Sequence, residues 1–209
     1  VFNRVIYTES HDEVANGKAR VPEEIQPGDA ESSFAKKRSI LGLVLVMTSP
    51  GIPMIFQGQE FLEDGYFKDT EELNWDKLNR LEGIDQLSAD LIKLRTGETP
   101  GAEGLKGQHT EIIHFNQENK ILAYKRTMDR AQPALIILNF GNNDFEDYGI
   151  SIEADKNWKI KFNSTWKGYD KDFSELPVED IQKVHEESDQ KEWTGKVNIP
   201  AYGALIYAL

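Results

Sequence analysis

Residues 5–18, Val5-Ile6-Tyr7-Thr8-Glu9-Ser10-His11-Asp12-Glu13-Val14-Ala15-Asn16-Gly17-Lys18, decide how the rest of this chain is read. Val5-Ile6-Tyr7 is a short apolar run of the kind a buried strand shows. It ends in an acid and an imidazole side by side, the one place where the sequence speaks of chemistry. A second stretch repeats the layout: Gly51-Ile52-Pro53-Met54-Ile55-Phe56-Gln57-Gly58-Gln59-Glu60-Phe61 is again an apolar run closing in Gly and polar groups.

Between and after these stretches the periodicity is helical. Residues 14–30 carry Gly17, Pro22, Pro27 and Gly28 and read as a long loop. Asp29 to Ser33 offers N-cap residues, and Phe34 to Met47 reads as a helix, apolar all round in its second half and so buried there. Ser49-Pro50-Gly51 stops it. Met54-Ile55-Phe56 reads as a second short strand, and residues 62–79 as another long loop holding Tyr66, Phe67 and Trp75. Ile84, Leu87, Leu91 and Leu94 fall at helical spacing, and Gly97 to Gly101 ends that helix. Strand, loop, helix, twice over, argues for parallel strands with crossover helices.

Past Gly107 the period changes. Ile112 to Phe115 and Ile121 to Tyr124 read as a hairpin, and Ala134 to Phe140 as a strand. Trp158, Ile160 and Phe162 alternate with polar residues, and residues 196–199 and 204–208 complete an antiparallel sandwich or open barrel. Residues 171–191 are charged, poor in apolar side chains and read as a mobile loop. The expectation is therefore α/β followed by all-β, with residues 1–100 as one domain and 108–209 as the other.

The bulk numbers narrow the function. Hydrophobic residues make up 39% of 209, enough for a packed core. A net charge of -12 repels phosphate backbones and anionic lipid, so neither nucleic acid nor a membrane surface is expected as a partner. A neutral sugar polymer meets no such repulsion. The absence of cysteine removes disulfides, thiolate metal sites and cysteine nucleophiles, without fixing the compartment. Because a strand-like run follows Val1 almost at once, with no leader, the start reads as a cut within a longer protein.

Ser10-His11-Asp12-Glu13-Val14 with the trailing Gly17-Lys18 resembles the last catalytic motif of the α-amylase superfamily (glycoside hydrolase family thirteen), most closely its α-1,4-glucan branching enzymes. Gly58-Gln59-Glu60-Phe61 is similar to the segment that ends strand eight of that family's barrel. The resemblance implies the last two βα units of a (β/α)8 barrel, strands seven and eight with their helices, followed by a C-terminal antiparallel β-sandwich domain. It implies an α-glucan of starch or glycogen type as substrate. His109, His114 and His185 show no metal-ligand spacing, and no cofactor, no metal and a cytoplasmic location are expected. The resemblance assigns Asp12 the stabilisation of the transition state and His11 hydrogen bonds to sugar hydroxyls. Glu9, Lys18, Gln59 and Glu60 are the further substrate-binding candidates.

The family's nucleophile, an Asp preceded by an Arg, and its proton donor, a Glu, belong to earlier strands, and no Arg-x-Asp occurs in this chain. An isolated chain of this kind is expected to be inactive, to need the missing N-terminal barrel portion, and to self-associate through exposed barrel strands. Two other readings stay open: a piece of an α-amylase-type hydrolase, and a non-catalytic carbohydrate-binding or scaffolding module. Single residues have rival readings too. An Asp after a strand is commonly a turn residue, Gln59 and Glu60 suit holding a strand end together better than touching sugar, and Glu9 suits either the cleft or solvent. Lys18 and Arg20 suit substrate contact or plain solvation. Trp75, Tyr66 and Phe67 suit stacking on sugar rings or packing within the fold.

Overall fold

The computed structural model describes residues 3–153, 156–185 and 193–209. Strand β1 (Val5–Ile6) and strand β2 (Ile52–Pro53) pair in parallel, Val5 against Ile52 and Ile6 against Pro53. The Ile52 and Met54 amides donate to Arg4 and Ile6 carbonyls, both at 2.9 Å. The long connection between the strands carries α1 (Val21–Ile25) and α2 (Ser33–Thr48). After β2 come α3 (Trp75–Arg80) and α4 (Glu82–Thr96).

The remainder is antiparallel β: β3 (His109–Asn116), β4 (Ile121–Thr127), β5 (Ala134–Asn139), β6 (Phe145–Ile152), β7 (Lys159–Asn163), β8 (Gln182–His185), β9 (Trp193–Ile199) and β10 (Ala204–Ala208). They form a five-stranded sheet in the order β3-β4-β5-β10-β7 and a three-stranded sheet in the order β6-β9-β8.

The layers explain the sequence pattern. One face of the five-stranded sheet, through Ala134, Ile136, Leu138, Phe162, Ala204 and Ile206, packs on α2 and α4. The other, through Leu135, Ile137, Leu205 and Tyr207, packs on the second sheet. Strands β5 and β10 are therefore buried on both faces, which is why they read as unbroken apolar runs. Helix α2 is buried for the same reason, with Ile40, Leu41, Leu43, Val44 and Met47 in the shared core. Helix α4 turns Ile84, Leu87, Leu91 and Leu94 inward and its charges outward.

Helix α2 opens on Ser32, whose Oγ accepts the Ala35 amide at 3.1 Å. At its other end two arginines meet the last carbonyls. Arg95 Nη1 donates to Met47 and Ser49, and Arg126 Nη1 to Thr48 at 2.6 Å. Cations are favoured there because the helix dipole is negative. Burial, with the nearby Arg95 charge second, pulls Arg126 down to about 10.

Several sequence expectations need correction. The second strand runs over Ile52–Pro53 rather than Met54 to Phe56, and neither short strand is buried, Val5 and Ile52 being 49% and 53% exposed. The loop at 14–30 contains the five-residue α1, and the loop at 62–79 contains most of α3; helices this short show no readable period. Residues 171–185 do not hang free: Phe173 and Ile181 are buried and β8 follows. The rest of that charged insert, 186–191, lies outside the described residues. Strand β6 escaped the sequence reading because its outer residues are polar, leaving only Ile150 and Ile152 fully covered.

Candidate functional site

The parallel pair β1–β2 sets the site. Both chains leave their strands at the same end, so the segments after Tyr7 and after Phe56 lie on one rim. The Ser10 carbonyl accepts the amides of Glu13 (3.0 Å) and Val14 (3.1 Å), which wraps residues 10–14 into a tight turn. Val14 is buried and anchors the turn, while His11 and Asp12 sit at its tip. Their side chains are 68% and 81% exposed, with His11 Nε2 3.2 Å from Asp12 Oδ1. Lys18 Nζ reaches back to the Asp12 carbonyl at 3.3 Å. The pair that carried the motif is thus presented to solvent.

Directly beneath lies an ion pair between Glu9 and Arg20, both 1% exposed. Arg20 Nη1 is 3.1 Å from Glu9 Oε2 and also donates to the Gln57 carbonyl at 2.9 Å. Its Nε donates to the Gly65 carbonyl at 2.9 Å, and its guanidinium lies 5.0 Å over the Phe56 ring. Glu9 Oε1 accepts the Val21 amide at 2.9 Å. Burial pushes the Glu9 carboxyl above its usual value, opposed by the Val21 amide and the Arg20 charge. One guanidinium therefore joins the motif turn, the end of β2 and the following loop.

Of the two readings of Glu9, plain solvation is removed by its burial, and its carboxylate is committed to Arg20 and Val21. Arg20 is neither a substrate contact nor a solvated loop charge. It is the hub of the rim, and no local pattern marks it as one, because its partners lie 11, 37 and 45 residues away.

Gln59 behaves as a holder of the strand end. Its Nε2 donates to Thr8 Oγ1 at 2.5 Å and its Oε1 accepts the Phe56 amide at 3.1 Å, tying the exit of β1 to the exit of β2. Glu60 is half-buried, and its carbonyl accepts the Ser88 hydroxyl from α4 at 3.0 Å. The loop after it is closed by another residue the sequence reading missed. Glu63 is buried, accepting the Asp64 and Gly65 amides on Oε1 and the Asn74 amide on Oε2. The Phe67 amide donates to the Val14 carbonyl at 2.6 Å, lacing this loop to the motif turn.

The three loop aromatics divide. Phe67 packs inward, edge-on to Phe56 at 5.3 Å. Tyr66 and Trp75 stay 46% and 55% exposed. On the outer side of β1, Val5, Tyr7, Gly42, Leu45 and Val46 line an open apolar depression of about 390 Å³. Among the described residues no group of three or more His, Cys, Asp or Glu side chains is placed to hold a metal ion, and no helix is long and apolar enough to cross a membrane.

Residues 112–209 match the model of the alpha amylase C-terminal all-beta domain. The chain is similar to a 1,4-alpha-glucan branching enzyme GlgB of Oceanobacillus iheyensis, 31% identical over 160 residues, covering 74% of this chain and 25% of that protein. The corresponding enzyme of Corynebacterium diphtheriae is 27% identical over 209 residues, covering 95% of this chain and 28% of its own. The chain thus spans about a quarter of the length of these relatives. Among solved structures, a debranching enzyme from Nostoc punctiforme aligns with a TM-score of 0.60 at 15% identity, over 93% of this chain and 34% of that one. A pullulanase of Group B Streptococcus aligns with a TM-score of 0.59 at 12% identity, over 98% and 32%. At that identity the likeness is one of fold.

Proposed function

We propose, from a chain whose residues 112–209 belong to the alpha amylase C-terminal all-beta domain family and whose relatives are branching enzymes, that it is the C-terminal part of a retaining α-glucan-active enzyme. The reaction that fits best is branching: an α-1,4 bond is broken and an α-1,6 bond formed. On this reading β1 and β2 are the last two strands of a (β/α)8 barrel, residues 1–100 its closing portion and 108–209 a C-terminal antiparallel β-domain packed on α2 and α4. The apolar depression beside β1 is where the preceding part of the barrel packs, and the site of action is the cytoplasm.

Retaining cleavage uses two carboxyl groups about 5–5.5 Å apart, one as nucleophile and one as acid and base. Neither role falls to a residue of this chain. Asp12 supplies a third carboxylate, whose fixed negative charge stabilises the oxocarbenium-like ring as it forms. His11 donates to sugar hydroxyls beside it. Lys18 and Glu60 border the same rim, and Tyr66 and Trp75 offer exposed rings for sugar faces. Glu9, Arg20 and Gln59 position the rim without touching the glucan.

The observation that carries this reading is the exposure of His11 and Asp12 at the end of β1 while everything under them is locked. Maltoheptaose added to the isotope-labelled 209-residue chain should shift the amide resonances of His11 and Asp12, and Asp12→Asn should reduce those shifts. Unmoved resonances at saturating sugar would overturn it. The chain alone should show no turnover of amylose by iodine staining or reducing-end assay. Hydrolysis in place of transfer remains the second enzymatic reading; the Gly17-Lys18 extension of the motif favours branching.

A further inference from the structure

We propose that Trp166 is a second glucan-contact site, a stacking platform on the β-domain. This inference rests on the α-glucan reading above and adds a site that the motif does not contain.

Trp166 follows β7 and is 57% exposed, a costly position for the largest side chain. It is nevertheless held firmly. Its indole lies against the backbone of Gly168, so closely that a β-carbon there would fall 2.3–2.5 Å from three carbons of the six-membered ring. Tyr169 meets the ring edge-on, centroids 5.1 Å apart and planes at 89°. The Tyr169 hydroxyl donates to Asp90 Oδ2 on α4 at 2.9 Å.

The backbone around the indole is pinned as well. Trp166 and Tyr169 amides donate to Asn163 and Trp166 carbonyls at 3.2 and 2.9 Å, and Ser174 to Thr165 at 3.1 Å. The loop is then stapled to α2, where Lys36 Nζ lies 2.5 Å from Asp170 Oδ2 and Ser33 Oγ donates to the Asp172 carbonyl at 3.0 Å. A ring fixed before any ligand arrives loses little freedom on binding, which is what a recognition surface requires.

The surroundings choose the ligand. Lys167, next in the chain to Trp166, pairs with Glu175, and Asp172 is half-exposed on the same loop. Carboxylates accept hydrogen bonds from hydroxyls and repel phosphates and sulfates, and the net charge of -12 adds to that repulsion. A cationic ligand would be better served by several exposed rings around it. An uncharged, hydroxyl-rich molecule with an apolar C–H face fits: a glucopyranose ring laid flat on the indole.

The placement supports the same conclusion. Helices α2 and α4 run back against β1 and β2, so their first turns lie at the end where those strands exit. The Trp166 loop is anchored to the first turn of α2 through Ser33 and Lys36 and to the middle of α4 through Asp90, which puts it toward the end where those helices begin.

The test uses the 209-residue chain in native gels cast with and without glycogen, together with fluorescence titration by maltoheptaose. Trp166→Ala should weaken binding about tenfold, and Trp166→Phe should retain most of it, with the same thermal midpoint as the parent. Equal retardation of parent and Trp166→Ala would overturn this site and leave the His11–Asp12 reading intact. Loss of maltoheptaose-induced shifts at His11 and Asp12, with Trp166-dependent retardation kept, would support the platform while the reading of the motif fell. A change in sedimentation on Trp166→Ala with no change in glycogen retardation would show a self-association contact and overturn the proposal.

Discussion

Replacing Arg20 with Met should do more damage than its place in a loop suggests. The substitution keeps most of the apolar stem and removes a guanidinium that donates to Glu9, Gln57 and Gly65. What it leaves behind is decisive: a carboxylate 1% exposed with only the Val21 amide to stabilise its charge. Breaking a buried ion pair from one side costs about 3–5 kcal/mol, a large share of the roughly 5–15 kcal/mol that holds a domain together. Removing both charges is much milder, because no stranded ion remains. Urea denaturation followed by circular dichroism, on Arg20→Met, Glu9→Gln and the double variant, closes the cycle. The double variant should be more stable than Arg20→Met alone. If Arg20→Met costs less than about 1 kcal/mol, or the two single effects simply add, the rim is not organised by this pair.

Glu9 also makes a pH prediction. Its carboxyl titrates above its usual value when folded, because burial outweighs its partners. The folded state therefore binds the proton more readily than the unfolded state, and the stability contributed by this group is full below the unfolded value near 4.5 and lost as pH rises through the folded one. Glu9→Gln should remove that downward slope, measured as the midpoint of urea unfolding across pH 4 to 7; an unchanged slope counts against it. Gly83 in α4 gives a sign reversal. Gly to Ala within a helix ordinarily stabilises by about 1 kcal/mol, but a β-carbon here would lie 2.0 Å from the Tyr169 carbonyl oxygen. Gly83→Ala should lower the melting temperature, and a rise would show that the Trp166 loop is not docked as described.

How much of this was legible in the sequence follows from how far apart the cooperating residues are. Helix α4 and strand β5 announce themselves through their own neighbours, by a 3.6-residue stripe and by an unbroken apolar run. The exposed tip, His11 and Asp12, was legible as a motif of adjacent residues. Its foundation was not. Arg20, Gln57 and Gly65 are ordinary residues in a loop until the chain brings them to one guanidinium, and Glu63 gathers amides from residues 64, 65 and 74. Nothing in the local pattern of a charged residue tells whether it will be solvated or enclosed. The shared core was hidden too: a strand covered on both sides looks the same whether helices or a second sheet supply the second cover.

The sheet order has a consequence for biosynthesis. Strand β10 comes last among the strands yet lies between β5 and β7, so its slot stands vacant while the nascent chain grows from Asn163 to Ala204. At about 5–20 residues per second the ribosome needs roughly 2–8 s to supply it. During that interval both flanks of the gap offer bare apolar edges to any passing partner. Ribosome-bound chains halted before Ala204 should accordingly be captured by chaperones and cut by proteases, and chains that have released β10 should not.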